Sequence, residues 1–191
     1  YRYHSHLSTQ YVDGIRGALV IYDPDDAQKH LYDVDNDDTV ITLSDWYHTP
    51  ALISTSTPSP VPDSGLINSA GRFSGGPTVQ RTRINVSQNL RYRFRIVSLS
   101  AQGAFTFQIE GHTLTIIEAD GVPTVPYTVT AIQILAAQRY SAVVTANQPV
   151  DNYCVLCFSS SRDVLIGNMQ GSALLRRLGV VPLAKITPTV S

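Results

Sequence analysis

Between Leu90 and Val97 the chain reads Leu-Arg-Tyr-Arg-Phe-Arg-Ile-Val, with Arg91, Arg93 and Arg95 on one face and Tyr92, Phe94 and Ile96 on the other. A period of two is the mark of a β-strand with one buried face. Short β-branched or aromatic runs repeat the signal at 39–43, 105–109, 113–117, 131–135, 140–145 and 152–158. Turn residues punctuate them, as in Pro62-Asp63-Ser64-Gly65, Ser74-Gly75-Gly76-Pro77 and Glu110-Gly111-His112. No amphipathic helix of ordinary length and no internal repeat stands out. Many short strands with frequent turns predict an all-β sandwich.

The 191 residues suffice for one large domain, or one domain and a piece of another, and 43% hydrophobic content can supply a core. With 14 basic and 15 acidic residues the net charge is −1, which argues against general attraction to nucleic acid or membrane surfaces. No apolar run approaches the roughly 20 residues that span a bilayer. Tyr1 falls in what reads as mid-strand, so the sequence looks like an excerpt, and the lack of a leader says nothing about export. After Pro24 comes an acidic stretch with Asp25, Asp26, Asp33, Asp35, Asp37 and Asp38, read as a solvated link following a boundary near Asp23-Pro24. Its Asp33-Val34-Asp35-Asn36-Asp37 run imitates a calcium loop but has Asp38 where glycine is needed and Ser44 where the closing acid belongs.

The opening stretch carries the chemistry. His4 and His6 are two residues apart, so on an extended strand both imidazoles share a face. Neutral imidazole is a ligand for copper, zinc, iron and nickel, and two on one face make half a metal site. The run from Tyr3 to Pro24, with His4-Ser5-His6-Leu7-Ser8-Thr9-Gln10-Tyr11 and Asp13-Gly14-Ile15-Arg16-Gly17, resembles the second copper motif of basidiomycete laccases, which are blue multicopper oxidases. The likeness continues through Asp45-Trp46-Tyr47-His48, Arg91-Tyr92-Arg93-Phe94-Arg95, Gly111-His112-Thr113, Glu118-Ala119-Asp120-Gly121 and Ala146-Asn147-Gln148-Pro149, and fades after Tyr153.

That resemblance implies a cupredoxin-like Greek-key β-sandwich: residues 1–24 as the end of a first cupredoxin domain, 25–178 as the middle domain, and 179–191 as a linker or tail. It implies that His4 and His6 each serve one copper of the type 3 pair in a trinuclear cluster. It implies a secreted enzyme that oxidises phenols or aryl amines and reduces dioxygen to water. The other ligand motifs lie outside this sequence, so the isolated chain is expected to be inactive. His30 reads as solvent-facing, and His48 and His112 as packing or hydrogen-bonding residues. The family's disulfide cysteines fall at Val12 and Ala101, so the bridge is absent at both ends; losing a native disulfide typically costs about 2–5 kcal/mol. The family's substrate-binding acid falls at Gln102, which can donate and accept hydrogen bonds but cannot carry charge.

Three further features complete the reading. Cys154 and Cys157 face opposite sides of a regular strand and read as ordinary thiols rather than a bridge or a metal half-site. Asn85-Val86-Ser87 is an N-glycosylation acceptor on an expected surface loop. Residues 1–24 would expose Leu19, Val20 and Ile21 unless the remaining domains, or another chain, covered them. A truncated, non-enzymatic cupredoxin-like binding protein is the alternative to a laccase segment. A metal module pairing His4 and His6 across a two-fold axis is a third reading.

Overall fold

The computed structural model describes residues 1–54, 60–73, 75–159 and 170–177. A hairpin of β1 (Arg2–His4) and β2 (Arg16–Ala18) opens the chain, followed by β3 (Val40–Trp46), one helical turn α1 (Ala51–Ser54), β4 (Ser64–Ile67), β5 (Arg83–Val86) and β6 (Arg91–Ser98). Then come β7 (Phe105–Ile109), β8 (Leu114–Ala119), β9 (Val122–Val129), β10 (Ile132–Ile134), β11 (Arg139–Thr145), β12 (Asn152–Ser159) and β13 (Gln170–Arg177). Apart from the hairpin they form two sheets, of order β4-β3-β6-β11-β8-β9 and β10-β7-β12-β13-β5. One apolar cluster draws on both: Ile41, Leu43, Phe94, Ile96 and Val144 from the first, Ile84, Phe105, Phe107, Ile134 and Val155 from the second. This is the expected all-β sandwich, with alternation plain on β7 and β5 and both faces buried on the central strands β3, β6 and β11.

The alternating run became β6, at the centre of its sheet, antiparallel to β11 and parallel to β3. Its apolar face behaves as read, but its arginine face is not a solvated one. Segment 26–35 lies across it, and Tyr32, Ile117 and Val143 form a second apolar cluster on that side. Arg93 reaches Asp26 at 2.7 Å and Glu118 at 2.5 Å, Arg95 reaches Asp35 at 2.6 Å, and Arg91 reaches Asp33 at 2.7 Å. The acidic stretch, expected as a solvated link, is therefore the counter-charge of the arginine stripe. Each feature looks unremarkable alone; their pairing is set by tertiary structure.

The pairing moves the carboxylates. Arg91 hydrogen bonds hold Asp33 down to about 2. Burial alone would raise Asp26, but the Tyr32 hydroxyl, the Gln28 N–H and Arg93 outweigh it and keep this carboxyl below its ordinary range. Asp33 and Asp35, the first and third residues of the calcium-like run, are engaged by Arg91 and Arg95. Among the described residues no group of three or more His, Cys, Asp or Glu side chains is placed to hold a metal ion.

Strands β4, β5, β9 and β13 were not foreseen. Two prolines, Pro123 and Pro126, disguise β9, which is tolerated because β9 is the outermost strand of its sheet. Asp120 and Gly121 turn from β8 into β9 with φ of 51° and 86°, the paired positive values of a tight hairpin that an Asp-Gly dipeptide favours. The tail at 179–191, the middle of the Ser/Thr/Pro-rich loop at 55–59 and residue 74 of the Ser74–Pro77 turn lie outside the described residues.

Candidate metal centre

His4 ends β1 and His6 follows it, and their ring centroids are 4.4 Å apart. The expected shared face is thus observed, with His4 half-buried and His6 exposed. His4 Nδ1 is 3.0 Å from the Ser5 carbonyl oxygen. A carbonyl can only accept, so Nδ1 carries the proton and Nε2 keeps its lone pair for a metal. Imidazole in its neutral form suits copper, zinc, iron and nickel, and two such rings make part of a metal site, with further ligands required from elsewhere.

The loop between the strands is wound into successive turns: Thr9 carbonyl accepts from Val12 and Asp13, and Ile15 N–H returns to Gln10. Ser5 Oγ accepts from Leu7 N–H and donates to Gln10 Oε1 at 2.7 Å, which braces the residue between the histidines. Gly14 closes the loop at φ 108°, and a Cβ there would stand 3.3 Å from the Trp46 ring, so both conformation and space call for glycine.

Three residues that the sequence did not single out surround this pair. The Tyr11 ring lies 4.8 Å from the His4 ring, its hydroxyl accepts from Arg2 at 2.7 Å, and it faces the Leu99 and Ser100 carbonyls. Arg16 stands over the same ring and donates to the Leu99 carbonyl at 2.6 Å. Asp45, fully buried on β3, is 3.3 Å from Arg16. An aspartate inside the strand-like run Val40-Ile41-Thr42-Leu43-Ser44-Asp45-Trp46 was the available signal, since a charge buried there needs a partner.

Gln102 is exposed on the loop after β6, and its N–H donates to Asp45. Val12 and Ala101 each follow a residue of the Tyr11–Ser100 contact, so these two loops are held together by a phenol and a carbonyl. His48 packs on Phe73 with centroids at 4.3 Å, buried His112 meets the Tyr153 ring edge-on at 4.9 Å, and His30 is exposed, all as expected. Cys154 is a free thiol whose pKa is pushed up by burial and by Glu110; the side chain of Cys157 lies outside the described residues. Asn85 is exposed, but on strand β5 at the rim of the second sheet rather than on a loop.

A sandwich of this topology preceded by an imidazole-bearing hairpin has known counterparts. The multicopper oxidase family model matches residues 37–179, and the chain belongs to that family. Within it the likeness is to laccases. The chain is 60% identical to Laccase-2 of Pleurotus ostreatus over 80% of its own length and 28% of that protein. It is 51% identical to the laccase of Pycnoporus cinnabarinus over 99% of its own length and 36% of that protein. The chain thus spans roughly a third of the curated relatives it matches. The crystal structure of the laccase from Botrytis aclada superposes with a TM-score of 0.77 at 29% identity, over 99% of this chain and 37% of that one. Fet3p, a multicopper oxidase that functions in iron import, gives 0.75 at 24% identity over 100% of this chain and 36% of that one, which speaks to the cupredoxin-like fold alone. No helix among the described residues is long and apolar enough to cross a membrane.

Proposed function

We propose that this chain is the part of a laccase that supplies two copper ligands, His4 and His6, and the middle cupredoxin-like domain. Residues 1–24 close the first domain, 25–178 form the second, and 179–191 lead onward. The observation that carries this reading is the pair of imidazoles 4.4 Å apart with one Nδ1 held by a carbonyl, on a chain of this family. His4 and His6 would each hold one copper of a type 3 pair, completed by histidines from the remaining domains. Copper bound there supplies the family's chemistry, reduction of dioxygen to water with electrons from phenols or aryl amines. Gln102 lies at the edge of the substrate pocket, where its amide orients a phenol by hydrogen bonding and takes no proton from it. The remaining domains cover the apolar side of the hairpin, where Tyr3, Ile15, Leu19 and Ile21 are exposed.

Substituting His4 or His6 by alanine in the full-length protein is expected to lower bound copper and to reduce oxidase activity by more than about 100-fold, since even outer-sphere partners of metal ligands typically contribute 10–100-fold. Elemental analysis reads the copper directly. Wild-type copper content in both variants would overturn the assignment.

Export follows from the same reading, and with it N-glycosylation at Asn85, which points outward from a rim strand. Peptide mass mapping before and after glycosidase treatment of the secreted protein should shift the peptide that carries Asn85. An unmodified peptide at full occupancy would refute the site.

A further inference from the structure

We infer that Asp45 is a positioning residue that ties the Gln102 loop to the His4 hairpin, so that a displacement of the loop is passed on to the hairpin. Its carboxylate takes three successive backbone donors: the N–H groups of Ala101 at 3.0 Å, Gln102 at 2.8 Å and Gly103 at 3.1 Å. Three adjacent amides converging on one carboxylate fix the path of the loop, and inside the loop Ser100 Oγ donates to the Gly103 carbonyl at 2.6 Å. Such a carboxylate, fully buried, needs a cation. Arg16 provides it from the hairpin, with Nη1 at 3.3 Å from Oδ1 and Nη2 donating to the Asp45 carbonyl at 2.6 Å. The same guanidinium donates to Leu99, whose carbonyl also faces the Tyr11 hydroxyl. Tyr11 in turn lies against the His4 ring.

The contacts close a circuit: His4, Tyr11, the Leu99 and Ser100 carbonyls, the 101–103 amides, Asp45, Arg16, and back to Tyr11. Charge-assisted hydrogen bonds in a buried setting resist stretching, so a displacement at Gln102 is transmitted to the imidazole. This inference rests on the proposed copper site for its functional meaning, while the mechanical coupling is measurable without copper.

The test uses the full-length protein with Asp45→Asn and Tyr11→Phe. Asparagine removes the charge that pairs Arg16 and one of the two acceptor oxygens. Expected in Asp45→Asn are faster hydrogen exchange at the 101–103 amides and also across residues 2–18, with copper lost to a chelator about tenfold faster or more. Tyr11→Phe, which leaves the bonds of Asp45 in place, is expected to speed copper release while the 101–103 amides stay protected. Faster exchange at 101–103 alone, with residues 2–18 and copper release unchanged, would show that Asp45 only shapes its loop and would overturn the coupling. If Asp45→Asn does not fold, Tyr11→Phe and Arg16→Lys decide: unchanged copper release in both overturns it. Retained copper in the His4 and His6 alanine variants would instead sink the copper site, leaving exchange across residues 2–18 as the measure of coupling.

Discussion

Replacing Arg93 by alanine is expected to destabilise the chain by about 3–5 kcal/mol, the usual result of removing one partner from a buried ionic group. The Arg93 side chain is 6% exposed and faces Asp26, Asp35 and Glu118, which are 14%, 4% and 19% exposed. Without the guanidinium, carboxylates held out of water lose their main cation, although Arg95 still reaches Asp35. The effect depends on pH with a definite sign. Asp26 titrates below its ordinary value in the fold, so its stabilising share is present above an unfolded pKa of about 3.9 and is lost as pH falls through the folded value. The gap between wild type and Arg93→Ala should therefore be widest near neutrality and narrow below about pH 4, where protonated carboxyls need no partner. Urea unfolding of both proteins at neutral and acid pH measures this. A gap that is small at neutrality, or that grows on acidification, would refute the role assigned to Arg93.

Phe107→Ala is the second large effect, again about 3–5 kcal/mol, from lost burial and the cavity left behind. Phe107 is fully buried on β7, where it pairs with Ile132 of β10 and Cys157 of β12, and it belongs to the cluster that joins the two sheets. Neighbours held in two hydrogen-bonded sheets cannot collapse far into the vacated space. Val125→Ala on the exposed face of β9 is the control and should stay within about 0.5 kcal/mol of wild type. The urea midpoint at constant slope reports both. Equal midpoints for the two variants would show that the sheets do not share this core.

Much of the fold was legible because the chain alternates wherever one face is buried. Run 105–109 coincides with β7, and 140–145 and 152–158 lie within β11 and β12. Rim strand β9 escaped notice because a strand with one neighbour tolerates prolines and need not alternate, whereas β10, also at a rim, was read at 131–135. The shared face of His4 and His6 was legible from their spacing, but their reading as a metal pair came from the resemblance of the residues around them. Tyr11, Arg16 and Asp45 were not legible, because the contacts that tie the hairpin to the sandwich join residues 29 to 89 positions apart in the chain. For the same reason the acidic stretch and the arginine stripe were read separately: a charge run shows its composition but not its counter-ion.

The outer margin of the six-stranded sheet has one more consequence. Val122, Val125 and Tyr127 leave β9 with an exposed apolar surface, a row onto which a second chain could zip and seed fibrous growth. Pro123 and Pro126 each delete a main-chain donor, and the register shift between Ile116 and Glu118 sets residues 124–126 of β9 against Ile117 alone, so that β9 itself bulges. An incoming strand therefore meets a broken ladder, and a margin that looks adhesive by its side chains is a poor template by its backbone.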